Sequence, residues 1–62
     1  MNREVIYVST NSLKYDLNDS YIKKIGYHEP SGPGDQHYID IYYSDETSRR
    51  CFDLKYIDFK EE

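Results

Sequence analysis

The stretch His37-Tyr38-Ile39-Asp40-Ile41-Tyr42-Tyr43 decides the fold. Side chains alternate across a β-strand, so His37, Ile39, Ile41 and Tyr43 share one face and Tyr38, Asp40 and Tyr42 the other. The first face is aliphatic and suits a core. The second carries two phenols around a carboxylate and suits a surface. Ser44-Asp45-Glu46-Thr47-Ser48 follows with turn chemistry, and residues 49–54 return as the hairpin partner. On that return Arg50, Phe52 and Leu54 oppose Arg49, Cys51 and Asp53, and the apolar pair Phe52 and Leu54 marks the inner side. The next apolar pair, Ile57 and Phe59, has the opposite parity. An uninterrupted strand cannot change parity, so a bulge or tight bend is expected near Lys55. Residues 60–62 read as a frayed tail.

Working back from His37, both prolines and two of the three glycines fall within residues 29–36. Proline lacks a backbone donor and glycine admits positive φ, so this run reads as a flexible loop. It has no GxxxxGK[ST] pattern and is not a phosphate-binding loop. Residues 21–27 alternate, with Tyr21, Lys23, Ile25 and Tyr27 on one side and Ile22, Lys24 and Gly26 on the other. Lys23 interrupts the apolar stripe, which suggests an edge strand guarded by charge. In residues 10–20, Leu13 and Leu17 stand four apart with Asn11 or Ser12 placed to cap, so a short helix near residues 12–19 competes with an irregular loop. Residues 4–9 read as a strand apolar on both faces, Val5 and Tyr7 against Ile6 and Val8, hence a central one.

Composition agrees. Alanine is absent, while Ile, Val, Thr, Tyr and Phe supply 20 of 62 residues, the set that fits a pleated surface. The expectation is a mainly β or small α+β single domain spanning residues 1–62: four or five antiparallel strands in a meander, as a curled sheet or small barrel. Only 13 residues are Leu, Ile, Val or Phe, and the single Cys51 forms no internal disulfide. Self-association as a homodimer is therefore one route to stability.

Several function classes are disfavoured. The longest apolar run is Val5-Ile6-Tyr7-Val8, far short of a membrane helix. Residues 1–4 lead into no signal segment, and a lone cysteine suits a reducing compartment, so a cytoplasmic location is expected and the acceptor-like Asn18-Asp19-Ser20 reads as incidental. The net charge of −4 arises entirely after residue 31, where eight acids face four bases. Such a balance opposes direct nucleic-acid binding, which works by neutralising phosphates.

Catalytic chemistry finds little footing. His37 and Cys51 lie on neighbouring strands, but the alternation sets them on different faces. Asp40, Asp53 and Asp58 are candidate paired carboxylates on an exposed sheet, without the burial that separates pKa values. His28, Glu29, Asp35 and His37 surround the loop without metal-ligand spacing. No catalytic residue, cofactor or metal is assigned.

The eight tyrosines are the unusual feature. Tyr7, Tyr27 and Tyr43 suit the core with their hydroxyls reaching water. Tyr38 and Tyr42, flanked by acids, have no such role. Exposed tyrosine supplies contact area at low entropic cost. The expected function is thus a small acidic, non-catalytic protein-binding module whose contact residues are Tyr38, Asp40, Tyr42, Asp45, Glu46, Asp53 and Asp58, with a basic protein as partner. At the level of class alone, it resembles phage or mobile-element inhibitors that occlude basic nucleic-acid-handling host proteins, some by imitating DNA charge. Two alternatives stand beside it: a sheet that stacks single-stranded bases on Tyr38 and Tyr42, and a homo-oligomeric structural subunit.

Overall fold

In the computed structural model, which describes residues 3–61, the strand around Ile39 is joined by five others: β1 (Arg3–Thr10), β2 (Lys14–Asp16), β3 (Ile22–His28), β4 (Tyr38–Tyr43), β5 (Ser48–Cys51) and β6 (Leu54–Phe59). All pairings are antiparallel, in the order β2-β1-β3-β4-β5, with β6 also on β1. The sheet curls into a half-barrel. The mainly β, curled-sheet expectation holds, with six strands where four or five were expected, and with the first strand inserted between the second and third.

Three bulges set the curl and correct the simple alternation. On β1 the register with β6 shifts between Val5 and Tyr7, leaving Ile6 as the extra residue. Val5 and Val8, of opposite parity, therefore both reach the core at 0% exposure, while Ile6 is exposed and Tyr7 half-buried. Strand β1 is central because it has partners on both edges, not because it is apolar on both faces. On β3 the register with β4 skips Lys23, which brings Ile22 and Ile25 inward together. Lys23 thus marks a bulge, and β3 is an inner strand between β1 and β4, not an edge. The third irregularity falls where parity demanded it: Ser9 pairs with Tyr56 and Thr10 with Leu54, so Lys55 is the skipped residue. Each extra residue bends its strand and raises the local twist.

The helix considered for residues 12–19 does not form. Thr10 closes a tight turn instead: its N–H donates to the Leu13 carbonyl (2.7 Å) and its Oγ1 accepts from the Leu13 N–H (2.9 Å). A threonine side chain that satisfies the backbone locally competes with helix and returns the chain as β2. The residue buried there is Tyr15, not Leu13, which is 42% exposed. Turns at Asp16–Asp19 and Asp19–Ile22 then lead into β3.

The core comprises Val5, Val8, Tyr15, Ile22, Ile25, Ile39, Ile41 and Cys51, with Leu17, Tyr27, Tyr43, Leu54, Ile57 and Phe59 packed on its margin. Cys51 faces inward opposite Ile39, and Phe52 lies half out in solvent, which reverses the faces inferred for this strand. The change of direction between β5 and β6 at Phe52-Asp53 lets Cys51 and Leu54 serve one core. Of the tyrosines expected inside, Tyr27 and Tyr43 pack on the core and Tyr7 does not; Tyr15 takes that place.

The 29–36 segment forms no strand or helix and is organised around Asp35. Its Oδ2 accepts from the Ser31 N–H (2.9 Å) and Ser31 Oγ (3.3 Å) and pairs with His28 Nε2 (3.1 Å), while Oδ1 accepts from the Gln36 N–H (3.0 Å). Gly34 supplies the positive φ of 86° that the turn needs. Beyond β6, the Lys60 N–H donates to the Glu4 carbonyl at 3.0 Å.

Candidate protein interface

Cross-strand register assembles the outer face of β1, β3, β4 and β5 as three rows. Residues directly opposite in an antiparallel pair project to the same side. The first row pairs His28 with Tyr38. The second runs Glu4, Gly26, Asp40, Arg50 across all four strands. The third runs Lys24, Tyr42, Ser48. Each of these residues except Ser48, which its register with Tyr42 places, adjoins a buried or core-packed neighbour such as Val5, Ile25, Ile39, Ile41 or Cys51, which fixes its outward direction.

Tyr38 is the most engaged of the rings. His28 lies nearly parallel to it at 4.4 Å between centroids, and the Arg50 guanidinium sits 4.0 Å from its centroid. Because β3 and β5 flank β4 on opposite sides, the two partners approach from opposite neighbours. Phe52 adds an edge contact at 5.5 Å. Arg50 also grips Asp40 with two nitrogens, Nε to Oδ1 at 2.8 Å and a terminal nitrogen to Oδ2 at 3.2 Å. Such a fork fixes both groups more firmly than a single contact. Tyr42, 41% exposed, remains open to solvent.

Between these rows lies a depression of about 250 Å³ lined by Glu4, Lys24, Gly26, Tyr27, His28, Tyr38, Asp40 and Tyr42. Its floor is Gly26, where an added Cβ would meet no atom within 4 Å.

The sequence-predicted residues separate in the structure. Tyr38, Asp40 and Tyr42 stand together on this face. Asp45 and Glu46 occupy the tip of the β4–β5 hairpin, where Asp45 Oδ1 accepts from the Thr47 N–H and hydroxyl and Glu46 pairs with Lys23 at 3.7 Å. The Thr47 contacts hold the Asp45 carboxyl below its usual range. Asp53 lies at the β5–β6 bend, and Asp58 projects from β6 opposite Tyr7, on the other limb of the sheet. Asp53 and Asp58 are therefore not continuous with the β4 face. The residues that sequence reasoning missed here are Glu4, Lys24, Gly26, His28 and Arg50. Only the long-range register places them, and no local pattern signals it.

The other candidate chemistry is also located. Cys51 is buried opposite Ile39 on the inner side, which is also the side of His37 by parity, so the opposite faces expected for the two do not hold. His37 itself is exposed in the loop before β4, its ring edge-on to Tyr27 at 6.1 Å. His37 shares a shallow surface with Pro30, Gln36, Phe52 and Asp53 instead. Among the described residues no group of three or more His, Cys, Asp or Glu is disposed to hold a metal, and no helix is long and apolar enough to cross a membrane.

No protein-family model, curated protein or solved structure matches this chain.

Proposed function

We propose that this protein is a small, non-catalytic binding module that occludes a basic protein partner through the outer face of β3, β4 and β5. The observation that carries the reading is the composition and rigidity of that face. Tyr38 is locked between His28 and Arg50, Asp40 is fixed by the Arg50 fork, and Tyr42 stands exposed beside them. A pre-ordered aromatic and charged patch loses little entropy on docking, which is where binding free energy concentrates. The charge of −4 favours a basic partner and faster encounter with it. A nucleic-acid-handling enzyme is one such partner, and an inhibitor of the phage or mobile-element kind fits the module's size.

Two features shape this choice among the readings the sequence allows. A long run of free carboxylates, as pure imitation of DNA charge requires, is not what the face offers: its two acids, Glu4 and Asp40, each pair with a cation of the same chain, and Glu46 at the hairpin tip pairs with Lys23. Base stacking on Tyr38 is disfavoured because His28 and Arg50 already occupy its ring. Tyr42, 41% exposed, is the ring of this face left open for contact, with Tyr38 held beside it.

The test is capture of the partner from the native source by the wild-type chain, compared with the Tyr38→Ala, Asp40→Ala, Tyr42→Ala triple variant and with Tyr42→Ala alone. The expectation is loss of capture by both at preserved circular dichroism, and weaker wild-type capture as salt rises. Undiminished capture by the two variants clears this face of a role.

A further inference from the structure

The depression over Gly26 has a lining complementary to one kind of side chain. Glu4 and Asp40 flank Gly26 in the same cross-strand row. With neighbouring strands about 4.8 Å apart, the two acidic positions stand roughly 10 Å apart, and glycine leaves the space between them empty. Tyr38 and His28 form one wall, and Tyr42 with Lys24 the other. On its far side each carboxylate already meets a cation of its own chain: Lys60 lies 3.6 Å from Glu4, and Arg50 lies 2.8 Å from Asp40. Across the sheet the order is therefore cation, anion, gap, anion, cation.

A positive group completes that alternation. Deepening the reading of this face as the contact surface, we infer that the gap over Gly26 seats an arginine side chain of the protein partner, held between Glu4 and Asp40 and lying against Tyr42. Arginine matches the lining better than lysine does. Its planar guanidinium presents donors in two directions at once, and it stacks on an aromatic ring while keeping its hydrogen bonds. Tyr42 is the ring for this, since Tyr38 is already covered by His28 and Arg50. Lys24 makes no ion pair among the described residues, and it stands on the rim as the charge that limits affinity. The site is an anchor for one residue within a larger contact, so its isolated affinity is weak and its selectivity is the telling quantity.

The experiment is an amide NMR titration of the whole chain at low salt and neutral pH with three probes: N-acetyl-arginine amide, N-acetyl-lysine amide and the neutral isostere N-acetyl-citrulline amide. The arginine probe is expected to give saturable shifts at the Gly26 and Asp40 amides, binding at least about tenfold tighter than the citrulline probe, with lysine between them. Gly26→Val places a strand-forming side chain in open space, so the variant should keep a dispersed spectrum and lose the response. Glu4→Gln changes an exposed group and should weaken the response; it serves alone if the valine variant unfolds. Lys24→Ala should strengthen it. Equal response to arginine and citrulline, no saturable shift at Gly26, or a response unaffected by both Gly26→Val and Glu4→Gln overturns the inference. The probe is a single residue, so this result is independent of partner capture. A silent titration with capture lost in the triple variant rejects the arginine seat and keeps the interface, and the converse pattern keeps the seat and rejects the interface.

Discussion

Replacing Tyr15 by Phe should make this protein more stable. Tyr15 is 5% exposed and packs in the core with Val8, Ile25 and Cys51, yet among the described residues its buried hydroxyl has no hydrogen bond of good geometry, the Tyr43 side chain being close enough to perturb it without satisfying it. Taking a hydroxyl out of water without compensation costs about 1–3 kcal/mol in proteins. The phenyl ring keeps the same shape, so packing is preserved and only a small void replaces the oxygen. The net expectation for Tyr15→Phe is a gain of about 1 kcal/mol, which for a domain of this size raises Tm by about 4–8 °C. Thermal and urea unfolding at pH 7 read it directly, with an unchanged denaturant slope showing that the unfolded chain is not what moved.

Alkaline titration supplies an independent check on the same group. Burial, with Cys51 and then Tyr43 nearby, pushes the Tyr15 hydroxyl up from 10.0 to about 12. The folded form then holds its proton where the unfolded form releases it, so wild-type stability falls as pH rises from 10 toward 12. The advantage of Tyr15→Phe should therefore widen over that range. A Tm lowered by several degrees at pH 7 would mean that the hydroxyl makes a stabilising hydrogen bond, and the reasoning would be wrong.

The remaining predictions rest on other parts of the fold. Glu46 closes the β4–β5 turn with φ of 74°, a left-handed conformation that costs a non-glycine residue about 1–2 kcal/mol. Glu46→Gly should raise stability by about 1 kcal/mol once glycine's greater unfolded freedom is subtracted, and a lower Tm would count against the strain. The exposed pair with Lys23 contributes little to that balance. Asp35 is held below its ordinary pKa of 3.8, first by the Ser31 N–H and then by His28, and Asp45 below the same value by the Thr47 hydroxyl and N–H. For both, the unfolded chain binds protons more readily, so the stabilisation is complete above about pH 4 and is lost as pH falls through the depressed values. Acid unfolding of Asp35→Asn should accordingly be shallower than that of wild type; equal slopes contradict the assignment. Ile25, fully buried, should cost about 2–5 kcal/mol on truncation to Ala, comparable to the whole stability of so small a domain, so cooperative urea unfolding should be largely lost.

What the amino-acid sequence determined by itself is whatever depends on neighbours along the chain. The alternation in residues 37–43 specifies β4 and its inner pair Ile39 and Ile41, and the turn chemistry of residues 44–48 specifies the hairpin. The parity change between Leu54 and Ile57 requires a bulge or a tight bend, because strand geometry has a period of two, and the structure places a bulge at Lys55. Tertiary structure decided everything that depends on which strand lies beside which. The bulges at Ile6 and Lys23 break the alternation that local reading assumes; Val5 with Val8, and Ile22 with Ile25, gain burial together only once β1 sits between β2, β3 and β6. Tyr15 displaced Leu13 from the interior because the Thr10 hydroxyl closed a turn where helix was also open to the chain. The row Glu4, Gly26, Asp40, Arg50 joins residues up to 46 positions apart, 50 − 4 along the chain, and no period in the sequence encodes it. Strand pairing is selected by the burial that the whole chain achieves, so the outer face, and the gap at its centre, exist only after the core has chosen the register.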